Sequence, residues 1–292
     1  MHAASYVTTS GMSTQGRERK LVRLAGVLMI GAVLVSHCGY MFAFVAPRSH
    51  TRSSDAVRAI GLRAAPLGTP AGALTLRYFD GRGVAEMARM LFAIAGEAYD
   101  DKRYTFSFGT PGDFSTIQRE EFDADKAAGR MDVAMGKLPI LESGDFALPQ
   151  SKAIERYLSK RFGMMGDTME EEAWIDAVAE HARDINDAYS RKGLMFMKDK
   201  EKKAEIQEKW LKEELPVLLQ KLEAALPGSD GFAVGSKMSL ADVCIFKLLK
   251  DTYDEDPEAA YSDCPKLTAI AIAVGKNEGL QKWLSERPKT MF

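Results

Sequence analysis

Near residue 163 the periodicity of this chain changes, and that change limits the possible folds more than any other feature. Ahead of it, strand-like and helix-like runs alternate. Leu74–Phe79 reads as a strand. Val84–Ala95 reads as a helix with Ala88, Leu91, Phe92 and Ala95 on one face and Gly96 as its stop. Tyr99–Phe106 is a second strand, 109–112 a loop, and Phe114–Ala128 a polar helix. Leu138–Leu141 and Phe146–Leu148 are short strands about a Ser143-Gly144 turn. Gln150–Phe162 is a helix with Ile154, Tyr157 and Leu158 turned inward. Beyond 163–167 no strand signal recurs. Trp174, Val178, Ala182, Ile185 and Tyr189 form one helical stripe, and Ile206, Trp210, Leu215, Leu218, Leu219 and Leu222 another. Ser239-Leu240-Ala241-Asp242 has the form of a capping box opening a buried helix through Leu249. The pattern predicts an α/β domain of order βαβαββα over 73–163, followed by an all-α domain over 164–292.

Residues 1–72 fit neither domain. They hold eight Lys and Arg against two acids, whereas 73–292 holds 31 basic and 39 acidic residues. Four basic side chains in 17–23 precede the uncharged run Leu24–Val35 and the small residues 36–39, which is a signal-peptide layout. Phe44-Val45-Ala46-Pro47 then leads into a stretch rich in Ser, Thr, Ala and Arg with only Asp55 acidic, a transit-peptide composition. The order resembles the bipartite presequences of complex, secondary-type plastids. It implies a plastid destination, with 1–72 removed or disordered. The alternatives are an uncleaved membrane span over 24–45, the only segment expected to contact a membrane, or a cytoplasmic protein with a tolerated tail.

Composition removes several function classes. An acidic body does not suit a nucleic-acid backbone, which needs clustered Lys and Arg. Cys244 and Cys264 are its only cysteines, so neither a disulfide framework nor a Cys-X-X-Cys redox pair is expected. His181 is its only histidine, which excludes a two-histidine zinc site there, and no metal is expected.

Three patterns, in order, resemble the cytosolic glutathione transferase family. They are Tyr78-Phe79-Asp80-Gly81-Arg82-Gly83-Val84-Ala85-Glu86, then Gly136-Lys137-Leu138-Pro139-Ile140-Leu141, then Leu148-Pro149-Gln150-Ser151 running to Leu158. The opening is most similar to the sigma class, which includes glutathione-dependent prostaglandin D synthase. The resemblance spans roughly 74–287 and takes in Val234-Gly235 and Ser239–Asp242. It implies a thioredoxin-like domain followed by a helical one, glutathione as co-substrate, a small hydrophobic electrophile, and a homodimer.

The resemblance also assigns roles. A cysteine thiol has a reference pKa of about 8.5, so little is thiolate at neutral pH, and the thiolate is the nucleophile. A phenol hydrogen bond to sulfur favours the charged form. Tyr78, at the end of the first strand, is implied to supply it. A packed strand tyrosine is the alternative, and Tyr99 and Tyr104 match no motif. Phe79 adjoins the glutathione site, and Arg82 is implied to orient the Tyr78 hydroxyl. Leu138-Pro139 matches a cis-proline turn whose backbone pairs with the cysteinyl part of glutathione. Gln150 and Ser151 open a helix whose N–H groups favour the γ-glutamyl carboxylate, unless Ser151 is simply a cap. Asp184 is implied to reach the γ-glutamyl ammonium across a dimer interface. Arg183 stands where some sigma members carry an acid, which argues against a divalent ion beside Glu180 and Asp187. Lys126, Arg130, Gly136 and Lys137 are candidates for the glycyl end, although the stretch 104–135 is longer than a compact sigma pattern. Tyr189 is a candidate for the electrophile pocket. The implied function is glutathione conjugation. The rivals are an isomerase or peroxidase using the same thiolate, and a non-catalytic glutathione- or ligand-binding protein.

Overall fold

The computed structural model describes residues 72–110, 113–228 and 231–290, so the presequence reading, including the 24–45 span, lies outside the described residues. The first half holds β1 (Leu74–Phe79), α1 (Glu86–Ala95), β2 (Tyr99–Tyr104), the two-residue strands β3 (Ser107–Phe108) and β4 (Ile117–Gln118), α2 (Glu120–Ala127), β5 (Ile140–Ser143), β6 (Phe146–Pro149) and α3 (Ser151–Arg161). The main sheet runs β2-β1-β5-β6. β1 is parallel to β2, and β5 is antiparallel to both β1 and β6. Alternation along β1 buries Leu74 and Leu76 against the helices. α1 stops at Gly96, whose φ of 65° lets its N–H reach back to the Ala93 and Phe92 carbonyls.

The stretch 104–135 departs from the expected polar helix over 114–128. Asp113 accepts from the Ser115 N–H at 2.9 Å, diverting the backbone into a turn, and β3 pairs with β4 as a small hairpin. Only α2 is regular helix. The insertion has its own core of Tyr104, Phe122, Met131, Ala134 and Ile140, against which Phe79 and Leu138 pack. It thereby backs the loop that precedes β5.

The second half is helical: α4 (Met169–Ser190), α5 (Lys200–Lys209), a π-helical turn at Trp210–Glu214, α6 (Leu215–Ala225), α7 (Leu240–Lys250), α8 (Glu258–Tyr261), α9 (Pro265–Gly275) and α10 (Glu278–Glu286). α4 opens with a full capping box between Thr168 and Glu171. Its buried face is Ile175, Val178, Ala179, Ala182 and Ile185, and Trp174 is 47% exposed, outside the expected stripe. One residue is 100° of helix, so a neighbouring Ile takes the inward position. The second stripe is broken between α5 and α6. Pro216 has no N–H to give and would crowd the preceding turn. The wider π turn just before it absorbs the mismatch and brings Trp210 into the core. α7 is the central helix, buried at nine positions and packed on α1, α3, α4 and α9. α10 returns to α1. There the buried Glu86 accepts from Trp283 Nε1 at 2.9 Å and Arg287 Nη1 at 2.7 Å.

Candidate functional site

The end of β1, the turn after it, the loop before β5 and the start of α3 converge at one edge of the sheet. Tyr78 sits at this edge. Its hydroxyl accepts from the Val84 N–H at 3.4 Å. Gly83 has a φ of +42°, and a Cβ there would stand 2.5 Å from that hydroxyl, so only glycine leaves the phenol its place. The turn is braced from below by Arg89, which is fully buried. Arg89 Nη1 donates to the Gly81 carbonyl at 2.7 Å, and Nε donates to Asp101 at 3.1 Å. Its guanidinium carbon lies 5.9 Å from the Tyr78 ring centroid. Periodicity places this arginine on the apolar side of α1, one position after Ala88, which is the only sequence signal of its role.

Among the described residues Arg82 makes no bond to the Tyr78 hydroxyl. Its Nη1 lies 3.4 Å from Asp251, a nearly buried carboxylate that also accepts from Arg287 Nη2 at 2.5 Å. Two guanidiniums offset the cost of burying that charge, and Arg82 is spent on it. Phe79 packs on the insertion core, with its ring 5.0 Å from Phe122, and meets the Tyr78 ring edge-on at 5.8 Å. Tyr99 and Tyr104, the two competing tyrosines, are committed elsewhere. Tyr99 stacks on Phe92 at 4.0 Å, and burial pushes its hydroxyl pKa up. Tyr104 donates to Asp125 at 2.7 Å, and its pKa is pushed up to about 12, chiefly by burial.

The Leu138–Pro139 bond is cis, and among the described residues no turn or loop hydrogen bond engages the Leu138 N–H or C=O. That leaves the backbone of this bend open just ahead of β5. Gly136, at φ +74°, lets Lys126 lie across the approach to this loop, since a Cβ there would be 2.8 Å from Lys126 Cε. Lys137 is exposed next to it. Arg130 turns outward to Asp125 at 3.1 Å. At α3, Gln150 takes a φ of 77°, a conformation rare for a residue with a side chain and characteristic of functional sites. Gln150, not Ser151, is the N-cap residue, and its side chain makes no capping bond. The first-turn N–H groups of α3 therefore remain available to an anion.

A cleft opens between this edge and the helical half, lined by Gly83, Val84 and Ser151 on one side and Arg183, Cys244 and Lys247 on the other. Arg183 donates to the buried Glu155 and, at 2.6 Å, to Glu180, which also takes Lys152 and Arg156. Glu155, Arg183 and Lys247 stand on the buried sides of α3, α4 and α7, and sequence reasoning did not connect them to the cleft. Burial raises the Glu155 pKa, with Arg183 opposing. Burial also pushes the Cys244 thiol up to about 12, so it is not a thiolate at neutral pH. Among the described residues no group of three His, Cys, Asp or Glu is placed to hold a metal ion. Asp184 is exposed on α4. Tyr189 joins an aromatic cluster, 5.5 Å from Trp210 and 5.0 Å from Tyr253, and its hydroxyl accepts from Gln207 at 3.3 Å. That packing holds it off the cleft lining.

Comparison with known proteins matches both halves. The N-terminal domain model of glutathione S-transferases matches residues 74–160, and a C-terminal domain model of the same proteins matches 186–287. The class-mu 28 kDa glutathione S-transferase isozyme of Schistosoma mansoni is 32% identical over 224 residues, 74% of this chain and 96% of that protein. S-crystallin SL11 of Nototodarus sloanii is 32% identical over 221 residues, 75% of this chain and 98% of its own. The solved glutathione S-transferase of Ascaris lumbricoides is 30% identical, with a TM-score of 0.58, covering 75% of this chain and all of that one (100%). With a thioredoxin-like sheet, an all-helical second half and relatives spanned almost end to end, this chain belongs to the glutathione S-transferase family.

Proposed function

We propose that this enzyme conjugates glutathione to electrophiles by a thiolate held at Tyr78. The observation that carries this reading is the position of the Tyr78 hydroxyl. It accepts from the N–H of Val84, which lines the cleft, at the same end of the sheet as the Leu138-Pro139 turn and the uncapped start of α3. Since the hydroxyl accepts one bond there, its own proton is left free to be donated to a thiolate sulfur. The α3 N–H groups hold the γ-glutamyl carboxylate, Leu138 pairs with the cysteinyl amide, and Lys126 or Lys137 meets the glycyl carboxylate. A screen of diverse electrophiles tests the reading. Turnover of several, lost on Tyr78→Phe, supports it. Glutathione binding with no turnover of any of them would favour a non-catalytic binding protein.

The Gly83→Ala variant should lose conjugation activity by about 10-fold or more, because the new methyl and the phenol cannot share the space and a small misplacement is costly. Its far-ultraviolet circular dichroism should stay native. Activity within about twofold of the parent would contradict the placement of Tyr78.

The opening Tyr78–Glu86 pattern and the S-crystallin relative support a sigma-like class. A homodimer is supported by α4, where Asp184 is exposed without a partner among the described residues and Trp174 is 47% exposed. A monomer by light scattering would remove the cross-interface role of Asp184. The composition of 1–72 supports import into a plastid. A mature N-terminus between about residues 38 and 73 is expected, and a start at Met1 with recovery in membranes would point instead to an anchor at 24–45.

A further inference from the structure

We infer that the cleft selects electrophiles bearing a carboxylate, and that Lys247 of α7 is the residue that receives it. This rests on the transferase reading above. The cleft is lined by Gly83 and Val84, and the Val84 N–H bonds the Tyr78 hydroxyl, so an electrophile in it lies next to the residue that the transferase reading gives the sulfur.

The other lining cations are already neutralised. Arg183 is shared by Glu155 and Glu180, and Lys152 is held by Glu180 at 3.1 Å. Lys247 differs. It is half-buried, it lines the cleft, and its ammonium has no ion pair or hydrogen bond among the described residues. The lining carboxylate that attracts it, Glu155, is buried and already bonded to Arg183, so the partly desolvated ammonium feels it only through space, and a ligand anion would offset more of the cost of burial. The apolar part of the lining, with Val84, Met87 and Leu248, suits a hydrocarbon body and lowers the local dielectric around the ion pair. Asp187 also lines the cleft, but it is exposed, so solvent screens it.

The substrate class that fits is an α,β-unsaturated aldehyde or ketone carrying a carboxylate at a distance from the alkene. Glutathione loses its thiol proton to solvent. The thiolate forms a C–S bond to the β-carbon, and the alkene π pair moves into the enolate. The α-carbon then takes a proton from water, and the carboxylate is unchanged.

The test compares one such enone acid with its methyl ester, as substrates and as preformed glutathione conjugates. The parent enzyme should prefer the acid over the ester by about 10- to 100-fold in kcat/KM, the span of a charge-assisted hydrogen bond. Lys247→Met should bring the acid-to-ester ratio near one, and Lys247→Arg should retain most of it. Conjugate affinities from calorimetry should follow the same ratios. Equal use of acid and ester by the parent, or equal loss of both in Lys247→Met, would overturn the assignment. Turnover of neither compound would count against the transferase reading, while the conjugate affinities would still decide the role of Lys247.

Discussion

The Tyr78→Phe enzyme should conjugate glutathione about 25-fold more slowly at neutral pH than the parent. The magnitude follows from thiolate population. If the phenol holds the bound thiol about two units below its free value of about 8.5, the thiolate fraction at about pH 7 is about three quarters, and removal of the phenol lowers it to about 3%, a factor of about 25. The sign with pH is fixed in the same way. A depressed thiol pKa gives the parent its nucleophile at lower pH, so the deficit should shrink as pH rises and nearly vanish above about pH 9. The fold should not suffer. The ring keeps its contact with Phe79 at 5.8 Å and its place over Arg89, and only the hydroxyl is lost. Neither competing tyrosine is placed to substitute, since Tyr99 is stacked and buried and Tyr104 is bonded to Asp125. Steady-state kinetics from acid to alkaline pH check this. A deficit that does not vary with pH would mean that the hydroxyl acts on something other than the thiol proton.

Asp242→Ala should cost about 3–5 kcal/mol of stability, the largest loss expected from any single change in the helical half. Asp242 is fully buried at the start of α7. Its carboxylate accepts from the Ser239 N–H at 2.8 Å, the Ser239 hydroxyl at 2.6 Å and the Ala233 N–H at 2.7 Å. Alanine would leave two buried backbone N–H groups unmatched, at about 1–3 kcal/mol each, and remove a helix cap worth about 1 kcal/mol more. Against a typical domain stability of about 5–15 kcal/mol, that is enough to unfold much of the population on mild heating. Because α7 touches α1, α3, α4 and α9, the loss should be cooperative across both halves. Denaturant unfolding measures it, and a loss below about 1 kcal/mol would mean that the capping box adds little.

Local signals in the sequence carried the parts of this molecule that depend on neighbours in the chain. The alternation along Leu74–Phe79, the stop at Gly96, the Leu138-Pro139 turn and the Ser239–Asp242 box all act over a few residues, and each stands where the pattern puts it. Long-range ion pairing was not legible. Arg82 and Asp251 are 169 residues apart, and nothing local to either predicts that they meet. The turn around Tyr78 is held by Arg89, which reads in sequence as one cation among apolar neighbours. Trp174 and Ile175 differ by one helical step, and amphipathic periodicity does not resolve which of two adjacent apolar residues turns inward. Pro216 signals a disturbance in the helix it enters, but the π turn that absorbs it appears only in the backbone. The hairpin inside 104–135 rests on two-residue strands too short to leave a pattern. The cleft charges follow the same rule, because Lys247 is distinguished only by what the surrounding helices do not offer it.

The pKa of the thiol of enzyme-bound glutathione, read from thiolate absorbance as pH is raised, tests the central claim most directly. The parent should show a midpoint well below the free thiol's value of about 8.5, and Tyr78→Phe should return it to near that value. A bound thiol that titrates as it does in water, or a depressed midpoint that survives Tyr78→Phe, would contradict the role given to Tyr78.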